Sequence, residues 1–363
     1  MSKILMKFFS LSTLLFVPLG SQCLERVVED QADVTLNNYP KMRWSRVEKP
    51  EDAGWSLEKL AKAKQCSELM GSAAVMIIDD GRVISEWGET TRKFNVHSIR
   101  KSFLSALYGI AVAKGSIKLT STLEKLGIDD NDPPLTSIEK QARVIDLLKA
   151  RSGIYHPALY ETQGMKLRRP QRGSHPPSSY WYYNNWDFNA LGTIYETQTG
   201  SSLFQSFNDL IAMPLQMEDF TLADTQYIQG PDSVHSAYPF RMTARDMARF
   251  GLLYLRGGVW NGKQIIPATW VQESTTAYSV AKGNGGCGYG YLWWVAVNGN
   301  PFPNVELEDG SFWAEGFGGH LIVVIPSLNV VIVHRVNTDI KGASVSFEQF
   351  GELLHLILQA RAP

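Results

Sequence analysis

The stretch Ser98-Ile99-Arg100-Lys101 sets a hydroxyl and an amine three residues apart at the start of a helix-like run. On a helix, positions three apart share a face, with Cβ atoms about 5–6 Å apart, so the Lys101 amine can reach back to the Ser98 hydroxyl. A neutral lysine there takes the serine proton, which gives a nucleophile whose base is not a histidine. Leu104, Leu107, Ile110 and Ala111 recur at three- and four-residue steps and Gly115 suits a helix end, so the pattern predicts a helix with Ser98 at its amino-terminal end. Unpaired N–H groups and the positive end of the helix dipole gather at that end. They favour the negative charge that develops when a carbonyl is attacked.

Spacing alone does not single out Ser98, because Ser-x-x-Lys also begins at Ser56, Ser137 and Ser279. Ser56 is expected to be the N-cap of a helix carrying Leu57, Leu60, Ala61 and Leu69, and Ser137 and Ser279 to be polar turn or cap positions. What sets Ser98 apart lies further along, in Tyr180-Trp181-Tyr182-Tyr183-Asn184-Asn185-Trp186. In an extended segment the Tyr183-x-Asn185 spacing aims both side chains the same way. Beside a protonated lysine the Tyr183 phenolate is favoured, and the phenol is expected to shuttle a proton to a leaving group. Asn185 has both a donor and an acceptor, and is expected to hold Lys101 and a substrate carbonyl or amide.

These residues need a scaffold. Residues 73–78 and 82–87 flank Asp79-Asp80-Gly81, a turn that favours a hairpin. A second hairpin is predicted from residues 320–325 and 330–336 around Pro326-Ser327-Leu328-Asn329. Phe347, Leu353, Leu354, Leu356, Ile357 and Leu358 predict a closing helix, with the helix after Ser56 packed beside it. Residues 116–238 show helical patches broken by loops and no sustained strand alternation. The fold class expected is therefore α+β: an antiparallel sheet flanked by helices, with an inserted mostly helical lobe. The expected organisation is a sheet domain from residues 55–115 and 239–363, with residues 116–238 as the insertion.

Residues 1–23 carry Lys3 and Lys7 ahead of an apolar stretch too short to span a membrane comfortably, the layout of a secretory signal peptide. Residues 24–54 would follow as an extension. The mature protein is expected to be exported, periplasmic or secreted, with Cys23 as the alternative point of a lipid anchor, although Leu19-Gly20-Ser21-Gln22 fits a lipobox poorly. Cys66 and Cys287 imply no disulfide framework. At 363 residues, 44% of them hydrophobic, the chain can bury a large core, and its net charge of −1 with interspersed signs offers no footprint for nucleic acid. The scattered histidines include no ligand-spaced pair, so no metal or other cofactor is expected. No Gly-x-Ser-x-Gly elbow occurs, which disfavours a Ser-His-Asp hydrolase.

The chain resembles the serine beta-lactamase and penicillin-binding-protein superfamily, on the branch with class C beta-lactamases, related esterases and nylon-oligomer hydrolases. The features run in order from Ser98-Ile99-Arg100-Lys101-Ser102-Phe103 through Asp146-Leu147-Leu148 and Ser152-Gly153 to Tyr183-Asn184-Asn185 and residues 246–251. The resemblance implies that Ser98 is acylated, that Lys101 and Tyr183 exchange protons and that Asn185 contacts the substrate. A third motif, usually Lys-Thr-Gly or His-x-Gly, has its counterpart in Ala314-Glu315-Gly316 or, in a shifted register, Ser311-Phe312-Trp313. Either register lacks the usual cation, which argues against efficient penicillin turnover. The oxyanion hole is then expected from the backbone N–H of Ser98 and of Phe317, or of Ala314 in the shifted register. Gly316, Gly318 and Gly319 allow the close approach of chain and substrate. Trp181 or Trp186 is expected at the cleft, His320 is read as structural, and the basic run Lys166, Arg168, Arg169 and Arg172 as a solvated loop. The resulting expectation is a serine hydrolase that acts through an acyl-enzyme on a small-molecule ester or amide. The alternatives are a beta-lactamase or D-amino-acid peptidase of the same superfamily, or a non-catalytic binding or sensor module on this fold.

Overall fold

A computed structural model describes residues 38–131, 133–281 and 287–362, so the expected signal peptide, Cys23 and residues 24–37 of the extension lie outside the described residues. Eight strands form the central sheet: β1 (Ala74–Asp79), β2 (Arg82–Gly88), β3 (Ser279–Val280), β4 (Gly288–Tyr289), β5 (Trp294–Val295), β6 (Phe312–Gly316), β7 (His320–Ile325) and β8 (Val330–Arg335). Their order is β2-β1-β8-β7-β6-β5-β4-β3, with every neighbouring pair antiparallel. The two expected hairpins are present, and β1 pairs with β8, so strands from both ends of the chain meet as the second and third strands from the β2 edge of the sheet.

Both turns are set by residues that tolerate a left-handed backbone. Asp80 (φ 46°) and Gly81 (φ 70°) make the β1–β2 turn with two consecutive positive φ values, as a tight hairpin requires, and Asn329 (φ 58°) closes the β7–β8 connection. Arg256 ties the turns together, donating to Asp80 Oδ1 at 2.9 Å and to Asn329 Oδ1 at 2.8 Å.

Every residue of β1, β7 and β8 is buried, because helices cover both faces of the sheet there. The first long helix, α1 (Leu57–Leu69), starts at Ser56, whose hydroxyl accepts from the Lys59 N–H as the N-cap reading requires. It packs on the closing helix (Phe347–Gln359), and Phe350 of that helix meets the His334 ring of β8 at 5.2 Å. A helix over Ala244–Leu255 packs on β1, β7 and β8. Its Gly251 lets it come close: a Cβ there would sit 2.6 Å from Val331 Cγ1 and 2.8 Å from Ile322 Cγ2.

Between β2 and the later strands the chain is mainly helical. A short pair of strands, Ile228–Gly230 with Ser233–Ala237, interrupts this segment, where the sequence shows no alternation. Three of its helices matter for the site, Arg100–Ala113, Gln163–Arg168 and Asn185–Thr199. Cys66 and Cys287 are not joined, and the Cys287 thiol donates to the Pro301 carbonyl. No helix among the described residues is long and apolar enough to cross a membrane.

Gly251→Val should lower stability by about 1–3 kcal/mol, because branched bulk at a close helix–sheet contact forces off-rotamer packing. Chemical denaturation checks this, and a midpoint equal to the native protein's would refute the close-packing account.

Candidate active site

Ser98 lies in a single 3-10 turn, His97–Ile99, that leads directly into α2 (Arg100–Ala113). The Lys101 side chain turns back toward this entry and is 1% exposed. Its Nζ donates to Ser98 Oγ at 2.7 Å and to Tyr183 Oη at 2.8 Å. One amine thus bridges a hydroxyl from the start of α2 and a phenol from a segment 82 residues away.

Burial drives the Lys101 amine well below its ordinary value, and the neighbouring Arg100 guanidinium adds to the shift while Glu315 opposes it. Arg100 is itself fully buried, held by Asn189 Oδ1 at 3.0 Å and by the face of Tyr238 at 4.6 Å. The Arg100 cation beside Lys101 discourages a second positive charge and so favours the neutral amine.

Tyr183 is placed from both sides. Asn184 caps the helix over Asn185–Thr199 by accepting from the Trp186 N–H, and Trp294 of β5 stacks on the Tyr183 ring at 5.5 Å. The same burial raises the phenol above its ordinary range, with a contact to Ser98 pulling the other way. The sequence-based expectation of a favoured phenolate therefore gives way to a neutral phenol, because desolvation of the anion outweighs the neighbouring charges.

A cleft of about 580 Å³ opens over Ser98 and is lined by Trp181, Tyr183, Trp294, Glu315, Gly316 and Phe317 together with residues of the Gln163–Arg168 helix. Ser98, Tyr183, Trp181, Gly316 and Phe317 thus share one cavity wall, with Lys101 behind them. The third motif that reaches the cleft is Ala314-Glu315-Gly316; Phe312 and Trp313 of the alternative register are buried. Ala314 is 1% exposed and alternates with Glu315 along β6, so the cleft-facing side chain of the motif is the glutamate. Burial pushes the Glu315 carboxyl up to about 7, with Trp313 and Lys101 pulling it back. Gly316 is needed for close approach, since a Cβ there would lie 2.4 Å from the Val96 carbonyl oxygen, two residues before Ser98.

Asn185 differs from the other expected site residues. It is 2% exposed and does not line the cleft, because its amide donates to the Tyr160 carbonyl at 2.7 Å; its Oδ1 is buried without a hydrogen-bond partner among the described residues. Trp186 is likewise fully buried, with its indole N–H given to Asp130, and Trp181 is the one of the pair that reaches the cleft. The basic run divides: Arg169 pairs with Glu161 and Arg172 with Glu139, whereas Arg168 stands at the cleft. Helical spacing in a short segment gave no signal for that split. Among the described residues no group of His, Cys, Asp and Glu could hold a metal ion.

His97 was not foreseen as a site residue. It holds a left-handed backbone (φ 49°) immediately before Ser98, a conformation His, Asn and Asp adopt more readily than other side chains. Asn95 Oδ1 accepts from its N–H at 2.9 Å, and its Nε2 lies 2.8 Å from Thr338 Oγ1. The ring packs at 5.6 Å from Phe317 and 5.3 Å from His320. Burial, reinforced by Arg335, brings it down to about 4. This network fixes the corner from which Ser98 projects.

A family model for beta-lactamases matches residues 57–349. The chain is 23% identical to an uncharacterized protein of Alkalihalophilus pseudofirmus, over 76% of this chain and 87% of that one. Among solved structures it is similar to a 6-aminohexanoate-dimer hydrolase described for Bacillus anthracis, with a TM-score of 0.64, 21% identity, and coverage of 89% of this chain and 88% of that chain. It is similar also to a class C beta-lactamase solved with cefoxitin, with a TM-score of 0.59 and 15% identity over 84% of this chain and 100% of that chain.

His97→Asn keeps a side chain suited to the left-handed corner, whereas His97→Ala should be less stable than His97→Asn by roughly 1 kcal/mol. Because the folded-state value of His97 lies below that of an unfolded histidine, its neutral ring contributes stability that is complete above about 6.5 and is lost as pH falls toward about 4. The advantage of the native protein over His97→Asn, followed by urea melts, should shrink across that window; a constant difference would count against the buried neutral ring.

Proposed function

Since the chain belongs to the beta-lactamase family, we propose that it is a serine hydrolase that cleaves a small ester or amide through an acyl-enzyme on Ser98. The observation that carries this reading is the Lys101 amine, hydrogen-bonded at once to Ser98 and Tyr183 in a desolvated setting. With its lone pair free, Lys101 Nζ accepts the Ser98 proton across their 2.7 Å contact as Oγ bonds to the carbonyl carbon. The carbonyl electron pair moves onto oxygen, where the backbone N–H groups of Ser98 and Phe317 are the donors assigned to receive it.

Collapse of this intermediate needs a proton on the leaving group. Tyr183, kept neutral by burial, delivers its own and is reprotonated by the Lys101 ammonium 2.8 Å away, so no free phenolate accumulates. Water then takes the place of the leaving group, the same relay runs in reverse, and the acid product leaves Ser98 restored. Trp181 forms the apolar wall of the acyl pocket, and Asn185 contacts substrate only when the Tyr160 carbonyl releases its amide. An exported, periplasmic or secreted setting, with Cys23 as an alternative lipid anchor, belongs to the same proposal and rests on residues 1–23.

Esters are the favoured substrates over beta-lactams, because the cleft-facing group of the third motif is a carboxyl and not the cation that would meet a substrate carboxylate. Arg168 at the rim supports the second reading, a carboxylate-bearing lactam or peptide. A panel of aryl esters, a chromogenic cephalosporin and D-amino-acid amides separates the two.

Ser98→Ala and Lys101→Ala should each lower turnover by about 10³-fold or more, and the double variant should be no worse than the single ones, since the groups act as a unit. Retention of most activity in Ser98→Ala would end the assignment. Labelling by a fluorophosphonate should modify Ser98; absence of any adduct would favour a sensor without chemistry. The acylation rate should rise with pH through a midpoint well below 10.5, the usual lysine value, as Lys101 loses its proton. A midpoint at the ordinary lysine value would refute the desolvated base.

A further inference from the structure

The cleft contains a charged group that the hydrolytic relay does not use. Glu315 lines it beside Ser98, yet its Oε2 is sealed from solvent and makes no close hydrogen bond among the described residues, the neighbouring donor being the Trp313 indole. A buried carboxyl with a single weakly placed indole donor is poorly compensated and favours a cationic neighbour. The nearby cation does not fill the role, because Lys101 directs its hydrogen bonds to Ser98 and Tyr183, and no ion pair to Glu315 is formed among the described residues. Arg168, at the same cleft, is exposed on a helix end where water and salt screen it.

The walls around the carboxyl are aromatic. Trp181 meets Trp294 edge to face at 6.0 Å; Trp294 is itself stacked with Tyr183 at 5.5 Å and with Trp313 at 6.4 Å, and Lys101 Nζ lies over the Tyr183 ring at 4.4 Å, so Trp181 carries the indole face left for a ligand. Faces of tryptophan and tyrosine attract a cation through their quadrupole, the more so when water is excluded. Carboxylate and π-faces in one cleft are complementary to an organic ammonium, whereas a substrate carboxylate would meet repulsion at Glu315.

We propose that Glu315, with Trp181, forms an ammonium subsite, so that the substrate of this cleft carries a cationic amine or quaternary ammonium group near its scissile carbonyl. This inference rests on the hydrolase reading for its scissile carbonyl and on the cleft alone for its cation. The groups that feel the Glu315 charge are Lys101, Tyr183, Cys287 and Tyr289, and only Lys101 among them adds a competing positive charge.

The test is equilibrium binding of benzyltrimethylammonium and its uncharged isostere neopentylbenzene to the full chain, read by tryptophan fluorescence. Run alongside is hydrolysis of butyrylcholine against 3,3-dimethylbutyl butyrate. The cation should bind at least tenfold more tightly than the isostere. Glu315→Gln should bring the ratio near one, Glu315→Asp should restore part of it, and Glu315→Lys should reverse it. The cation's advantage should grow as pH rises through about 7, where the carboxyl ionises. Equal affinities in the native protein, or a preference that survives Glu315→Gln, would overturn the subsite. Failure of the hydrolase reading shows up separately, as the absence of fluorophosphonate labelling at Ser98 in a protein that still prefers the cation.

Discussion

The site depends on keeping one amine out of water. Lys101 is 1% exposed and lies beside a fully buried Arg100, so protonating it means placing two positive charges together in a medium that solvates neither well. The same burial raises Tyr183, which favours an uncharged amine and an uncharged phenol within hydrogen-bonding reach of each other and, for the amine, of Ser98. Solvent entry would undo both shifts at once. Packing around the triad, by Phe188 and Trp294 on the phenol and by Tyr238 on Arg100, is therefore chemical as well as structural.

The scaffold holds this arrangement by bringing three stretches together at narrow tolerances. The left-handed backbone at His97 turns Ser98 into the cleft, Gly316 lets β6 approach the chain just before the nucleophile, and the capped helix starting at Asn185 fixes the preceding tyrosine. Each is a backbone constraint satisfied by a particular residue type. On the opposite wall the third motif presents Glu315, which gives the cleft a negative character in a position where much of its field reaches a ligand unscreened.

Much of this was legible in the residues. Ser98 and Lys101 are within reach of each other through a three-residue spacing that local geometry decides, and the tyrosine- and asparagine-rich stretch near Tyr183 sets them apart from the three other Ser-x-x-Lys pairs. The two hairpins were readable for the same reason, since Asp80, Gly81 and Asn329 are types that accept positive φ. Depth was not readable. Trp181 and Trp186 look alike in a row of aromatics, and only the helix start at Asn185 sends one to the cleft and the other inside. The fate of the Asn185 amide depends on the Tyr160 carbonyl, a contact made across 25 residues that no local pattern encodes. The phenol's charge state was misjudged because a neighbouring cation can be inferred from sequence, whereas the desolvation that outweighs it comes from the assembled fold.

The meeting of β1 with β8 has a consequence for how the molecule comes into being. A chain emerging from the ribosome completes the β1–β2 hairpin early, yet the strand that must cover β1 on its other side is more than two hundred residues behind. Until synthesis is nearly finished, that apolar ribbon has an open edge and no helix from the carboxyl end to shield it. Pairing of β1 with β8 is thus a late, long-range closure, slow by topology, and until it happens the open edge of the hairpin can pair with other chains.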